Sequence, residues 1–264
     1  MSLIFSCTAC GAKLRVKPEL AGKRAKCPKC GELIQLPTDS SPAPAEPQGI
    51  SPEEAVHRRL TAIRAPAFGE LFDSKPIAMF PSHQLGGEDD GPFFIDVLVY
   101  PLEVKAVEGP VVVAVTNGMS DQRMAEGDDD EQLRRRELVQ YLRECTPGHA
   151  KRLRDMAWVP LHDEFLLDSH HSIAWEWPAV EGTPWKNAFF LEPFFDPHQE
   201  FRLDLDGEEM GLLWHIPISD EERAFKQEHG SDTLLDRMDK VKLPWLFEES
   251  NRPSLVPRGK ARGK

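Results

Sequence analysis

Residues 110–121 read PVVVAVTNGMSD. The apolar run from Val111 to Val115 leaves no polar face, which is the pattern of a strand covered on both sides. Thr116, Asn117 and Gly118 then close it. Asn and Gly tolerate positive φ, and Thr and Asn side chains hydrogen-bond loop backbone, so the strand is predicted to end in a tight turn. Buried polar groups of this kind are more often structural than ligand-binding, because they must find partners inside the protein. A strand buried on both faces also requires neighbours in the sheet and a layer on each side.

Those neighbours can be sought outward from this segment. Upstream, FFIDVLVYPL (93–102) is rich in aromatic and β-branched residues and reads as a second strand. Before it, SPEEAVHRRLTAI (51–63) has Ser51 as N-cap, Pro52 at the first helical position and Glu54 at the third, with Ala55, Val56, Leu60 and Ile63 as its apolar stripe. Downstream, GDDDEQLRRRELVQYLREC (127–145) places Leu138, Tyr141, Leu142 and Cys145 at i, i+3, i+4 and i+7, which predicts an amphipathic helix. The acids at 128–131 then suit its N-terminal dipole better than a calcium site. HAKRLRDMAWV (149–159) predicts another helix and NAFFLEPFF (187–195) a strand. EFRLDLDGEEMGLLWHIPIS (200–219) predicts a hairpin turning at Asp206-Gly207. SDEERAFKQEHG opens with a capping box, Ser219 and Glu222, and stops at Gly230, after which a further helix starts at Ser231. This order predicts an α+β fold with a mixed or antiparallel sheet and flanking helices.

The 264 residues carry a formal charge of −12, distributed unevenly. Residues 1–36 hold seven basic and two acidic side chains, and 252–264 hold five basic and none acidic, which leaves −22 for the residues between. Such a body repels nucleic acid and anionic membrane and attracts basic partners; solubility alone is the plainer explanation. There is no run of eighteen apolar residues and no signal-peptide pattern at the start, so a cytoplasmic protein without a membrane span is expected.

Four of the five cysteines lie in CTACGAKLRVKPELAGKRAKCPKCG (7–31). Cys7 and Cys10 form one C-x2-C pair, Cys27 and Cys30 another, and each is followed by glycine. Two such knuckles bring four thiolates around one ion, the pattern of a closed structural zinc site with no open position for catalysis. A piece of this size has too little core of its own, and zinc contributes on the order of 10–16 kcal/mol to such folds. The expectation is one structural Zn2+ in a ribbon over 1–36, a Pro-rich linker over 37–50 (PTDSSPAPAEPQG, 37–49), a main domain over 51–248 and a basic disordered tail over 249–264. Lys23, Arg24, Lys26 and their basic neighbours are open to two readings. One is compensation of a dianionic metal centre; the other is a nucleic-acid surface, although only Phe5 is available to stack on a base.

VTNGMSD (115–121), RRREL (134–138) and HIPISDEERAFKQEHGSDTLLDRM (215–238), in this order, resemble the Suppressor of fused domain as found in bacterial proteins. The likeness runs from about Ser51 to Leu246. It implies an α/β protein-binding module without known enzymatic activity, and in bacteria a role as an immunity protein that neutralises a toxin. It singles out Thr116, Asn117, Gly118, Ser120, Glu137 and Pro217 as motif residues, structural or interacting. The larger animal form has a further C-terminal domain that this chain is too short to contain.

Catalysis finds little support in the residues. Ser120 follows a strand as in a nucleophile elbow, but the pattern requires glycine at 122, where Gln122 stands. His170 and His171 are adjacent, and on a strand adjacent side chains point apart. His162, Asp163 and Glu164 lack a clear further ligand, and Cys145 reads as a buried thiol. Trp158, Trp175 and Trp177 are candidates for the wall of an interaction groove. The function expected is therefore non-enzymatic protein binding, with a partner that presents a basic face. A nucleic-acid-associated regulator and an enzyme with an unrecognised site are the alternatives.

Overall fold

The computed structural model describes residues 3–6, 13–16, 22–29, 33–35, 50–85, 93–104, 107–127, 133–178, 180–193, 201–248 and 252–256. The chain divides into two compact units, Met1–Ser51 and Pro52–Lys264. The first contains two antiparallel ribbons. Strands β1 (Leu3–Ser6) and β2 (Lys13–Val16) pair with Ser6 opposite Lys13, and β3 (Arg24–Lys26) and β4 (Leu33–Gln35) pair with Lys26 opposite Leu33. Cys27 is buried; Cys7, Cys10 and Cys30 lie outside the described residues, as do most of the linker and the acids at 128–131.

The second unit is built on one mixed sheet. Its elements in chain order are α1 (Pro52–Leu71), β5 (Ala78–Phe80), α2 (Ser82–Leu85), β6 (Asp96–Pro101), β7 (Val112–Asn117), β8 (Arg135–Leu142), α3 (Pro147–His162), β9 (Ser172–Ile173), β10 (Asn187–Leu191), β11 (Arg202–Leu205), β12 (Glu208–Ile218), α4 (Asp220–His229) and α5 (Ser231–Val241). The strand order is β5-β6-β7-β8-β12-β10-β9. β12 is long enough to serve three partners: β11 antiparallel along its first part, β10 antiparallel along its last, and β8 parallel on the other side. β7 is buried at all six positions, as its unbroken apolar run requires.

Strand alternation sends two sets of side chains to opposite faces. Val97, Leu138, Leu142 and Leu213 pack with Leu153, Met156 and Ala157 of α3. Val113, Val115, Val139, Tyr141 and Ile216 pack with Leu60 and Phe68 of α1 and Leu234 and Met238 of α5. Among the described residues no helix is long and apolar enough to cross a membrane.

Three sequence expectations are corrected here. The segment RRRELVQYL is a strand, β8, and not a helix. Its residues from Arg136 to Leu142 are all buried, so apolar side chains stand on both faces and the helical spacing of Leu138, Tyr141 and Leu142 is incidental; the sheet overrides the helix preference of Glu, Leu, Gln and Arg. In α1 the inward stripe is His57, Leu60, Arg64 and Phe68, two of them polar, while Ala55 is exposed and Val56 and Ile63 are half-buried. The stretch expected to be a disordered tail is seated on the body at 252–256. Leu255 is buried, its amide donates to Glu222 Oε1 (2.8 Å), Arg252 pairs with the same oxygen (2.9 Å), and the Arg252 guanidinium lies 4.2 Å from the Trp185 ring centre.

The local turn chemistry follows the sequence. The β11–β12 turn places Asp206 (φ 58°) and Gly207 (φ 83°) in the left-handed region. Ser219 and Glu222 form the reciprocal capping box of α4, and Gly230 (φ 86°) ends it.

Candidate functional site

The end of β7 must reverse direction beneath α1. Gly118 adopts φ 139°, and a Cβ there would stand 1.8 Å from the Phe94 carbonyl oxygen, so only glycine fits. A 3-10 turn over Met119–Asp121 follows. It turns three backbone amides toward one carboxylate. Gly118 N and Ser120 N donate to Glu137 Oε1 (2.9 and 3.0 Å), and Met119 N donates to Oε2 (3.2 Å). The hydroxyls of Ser120 and Thr116 each donate to Glu137 at 2.6 Å, and Thr116 Oγ1 accepts the Leu138 amide at 2.7 Å. Glu137 is fully buried and reaches this turn from the neighbouring strand β8, which occupies the place a predicted helix would have taken.

The charge is balanced from α1. Arg64, also fully buried, donates from Nε to Asn117 Oδ1 (2.9 Å) and from Nη1 to Ser120 Oγ (3.0 Å) and Asp121 Oδ1 (2.5 Å). Its Nε lies 3.6 Å from Glu137 Oε1. Two turns earlier, His57 Nδ1 meets Asp121 Oδ2 at 2.6 Å and its Nε2 meets Asp96 Oδ2 at 3.3 Å; Asp96 also accepts the Ser82 amide (2.9 Å). Burial alone would lower the imidazole pKa, but the hydrogen bonds to Asp121 and then Asp96 outweigh it and hold His57 up at about 9. The network thus alternates sign from Glu137 through Arg64, Asp121 and His57 to Asp96.

Five of the motif residues, Thr116, Asn117, Gly118, Ser120 and Glu137, meet in this network. Pro217 does not: it lies on β12 opposite Ala188 of β10. Sequence reading missed Arg64, Asp121, His57 and Asp96. A signal was present in α1, where His57 and Arg64 occupy the same helical face as Leu60 and Phe68, so that polar side chains stand at buried positions.

Chemically the network is a brace. The Glu137 carboxylate accepts five hydrogen bonds, and Ser120 Oγ donates to it while accepting from a guanidinium, so neither is poised as base or nucleophile. Arg64 and Asp121 stand between them and His57. Against the brace, Pro52, Val56, Phe93, Phe94, Gly118 and Asp121 line a cleft of about 210 Å3.

Pro217 lines a larger groove of about 380 Å3 with Trp214, Ile216, Leu243, Pro244 and Trp245. Tyr141 supports both tryptophans edge-on, with ring centres 5.8 and 5.2 Å away. At the rim Arg143 pairs with Glu248 at 2.5 Å. The tryptophans singled out from the sequence lie elsewhere: Trp177 is exposed, Trp175 lies against Arg152, and Trp158 stacks on His162. Burial pushes the half-buried Cys145 thiol up to about 12, which makes it inert at neutral pH. Among the described residues no group of three His, Cys, Asp or Glu could hold a metal.

Comparison with known proteins places this architecture. No curated protein matches the sequence. Among solved structures, a Suppressor of fused homologue from Neisseria gonorrhoeae superposes with a TM-score of 0.57 at 18% identity, covering 76% of this chain and 99% of that one. The Sufu–Fu complex matches at 0.53 and 14% identity, covering 74% and 91%. Drosophila Suppressor of Fused matches at 0.55 and 14%, covering 74% of this chain and 51% of that protein. At these identities the likeness shows a shared fold. The family model for Suppressor of fused protein (SUFU) matches residues 93–253, a segment that contains β6 to β12, the braced turn and the aromatic groove, and on that match the chain belongs to the Suppressor of fused family.

Proposed function

We propose that the protein is a non-enzymatic binding module whose acidic body takes a protein partner with a basic face, as an immunity protein that neutralises a toxin or as an adaptor. The observation that carries this reading is the groove around Pro217. Its floor of two tryptophans and two prolines, edged by an ion pair, has the make-up of an interface centre, where aromatic anchors supply most of the affinity and a polar rim excludes water. Ser120 and Glu137, the motif residues with catalytic side chains, are consumed in the brace. A family relative is seen in a complex with Fu, which supports binding as the general mode. Excess negative charge on the body raises the association rate of a basic partner more than its affinity.

The test uses the full chain as bait in lysate of its own host. A captured protein should be released by rising salt, and its affinity should fall at least about tenfold with Trp245→Ala. For an immunity role, co-expression with that protein should restore growth. Turnover of a small molecule that disappears when one body side chain is changed would overturn the reading.

The N-terminal unit is proposed to hold one structural zinc through Cys7, Cys10, Cys27 and Cys30. In support, the first C-x2-C lies in sequence between paired strands β1 and β2 and the second between β3 and β4, the position of a zinc knuckle, and Cys27 is 2% exposed. The ribbon would then act in the reducing cytoplasm as a second contact for the same partner. Purified full chain should contain one zinc per molecule by elemental analysis, and Cys27→Ser should release it; a metal-free, fully folded chain would refute the assignment.

A further inference from the structure

Neither the brace nor the aromatic groove gives a role to Trp177. This side chain is 70% exposed, whereas Trp185 and Trp214 are each 8% exposed. It stands on the loop between β9 and β10, with Glu176 before it and Pro178 after it. A large indole left in water contributes little to folding. The backbone beneath it is nonetheless held on both sides.

The hold comes from inside the domain. Arg152 of α3 is 3% exposed, and its Nη1 donates to the Trp177 carbonyl at 3.1 Å. Its guanidinium also lies 5.6 Å from the Trp175 ring centre. No carboxylate among the described residues lies within ion-pair distance of it; Asp155 of α3 pairs with Lys151 and Arg154 instead. Burying a guanidinium without a counter-ion is costly, so the loop carbonyl is held at the expense of stability. The Trp175 amide donates to Asn187 Oδ1 (3.3 Å), and Asn187 Nδ2 donates to Asp220 Oδ1 (2.9 Å). Beyond Trp177, the hydroxyl and amide of Thr183 donate to the Val180 carbonyl (2.7 and 3.3 Å), with Gly182 at φ 82°.

The charge that flanks the indole in the chain is of one sign. Glu176 and Glu181 are both exposed, and neither has an ion-pair partner among the described residues. Arg152, the cation under the loop, is closed off from solvent. The loop also adjoins the surface proposed for the partner. Its Val180 lines an open hollow of about 530 Å3 together with Phe247, and Phe247 lines the aromatic groove as well.

We infer that Trp177 is an anchor for the protein partner, entering an apolar pocket rimmed by Lys or Arg on that partner. The inference rests on the binding role proposed above and adds a second contact, outside the groove. An indole has a large apolar area and few rotatable bonds, so burying it in a partner gives affinity at little entropic loss. Arg152 and Thr183 have already ordered the loop, so that ordering does not fall on binding. Glu176 and Glu181 favour a basic rim and repel an acidic one. They also disfavour a second copy of this chain as the occupant, because it would present an equally acidic body.

The experiment purifies the protein that the full chain captures from its host's lysate and measures its binding to variants of the full chain. Trp177→Ala removes an exposed ring, so it should unfold at the same denaturant concentration as the wild type yet bind the partner at least about tenfold more weakly. Glu176→Lys combined with Glu181→Lys should slow association by about threefold or more and flatten its dependence on salt. A photoreactive phenylalanine analogue in place of Trp177 should cross-link to a partner segment with Lys or Arg beside apolar residues. Full binding by Trp177→Ala, with Trp245→Ala still weakened, would overturn this contact alone and leave the groove's role standing. A cross-link into an acidic segment, or unchanged association of the double-lysine variant, would overturn it too. A wild-type dimer that Trp177→Ala converts to monomer would assign the indole to a second copy and overturn the inference. If no protein binds the wild-type chain, the reading beneath the inference falls, and the contact with it.

Discussion

The two faces of β8 treat buried polarity in opposite ways. Glu137 points toward α1 and receives hydrogen bonds from three amides and two hydroxyls. Gln140 points toward α3 and has none among the described residues. The charged group is thus the better tolerated of the two. Desolvation penalises a polar atom according to what it lacks, so a carboxylate wrapped in donors stabilises its turn while a bare amide costs about 1–3 kcal/mol. The first arrangement fixes a backbone; the second leaves a desolvation cost uncompensated.

Substitutions should reveal this contrast. Glu137→Ala has the largest expected effect, a loss of about 3–5 kcal/mol by denaturant unfolding, because it strands Arg64 and five donors at once. A loss under about 1 kcal/mol would mean that the turn holds without its carboxylate. Ser120→Ala removes one hydroxyl bonded to a charged acceptor and should cost about 1.5–3 kcal/mol in the same assay.

His57 should make part of the brace sensitive to pH. Its folded pKa, about 9, lies above the unfolded value of 6.5, so its contribution is complete below pH 6.5 and disappears as pH rises through about 9. The stability gap between the protein and His57→Gln should narrow over that interval; a gap that widens would place the proton elsewhere. The smallest effect belongs to Gln140→Leu, which should change stability by no more than about 1 kcal/mol and in the stabilising direction. A large loss there would show that the α3 face is braced after all.

What could be read from the sequence was local chemistry. The α4 capping box, the Asp206-Gly207 turn and the buried run of β7 each depend on a few neighbouring residues, and each is present as expected. β8 was misread because burial on both faces erases the two-residue period, and chance spacing then imitates a helix. The brace was half visible: the motif supplied Thr116, Asn117, Ser120 and Glu137, while Arg64 and His57 were hidden in a helix whose polar residues were assumed to face outward. The seat of Leu255 depends on Glu222, more than thirty positions earlier, and nothing near residue 255 announces it.

Strand β12 sets the order in which the body can be assembled. Its parallel union with β8 joins Met210 to Arg135, and the chain between them must form α3 and then deliver β10 and β11 to the same strand. Contacts so distant along the chain are slow to close. A β5-to-β8 half formed ahead of β12 would carry an unpaired edge along β8, and β12 is the strand that joins it to β10 and β11.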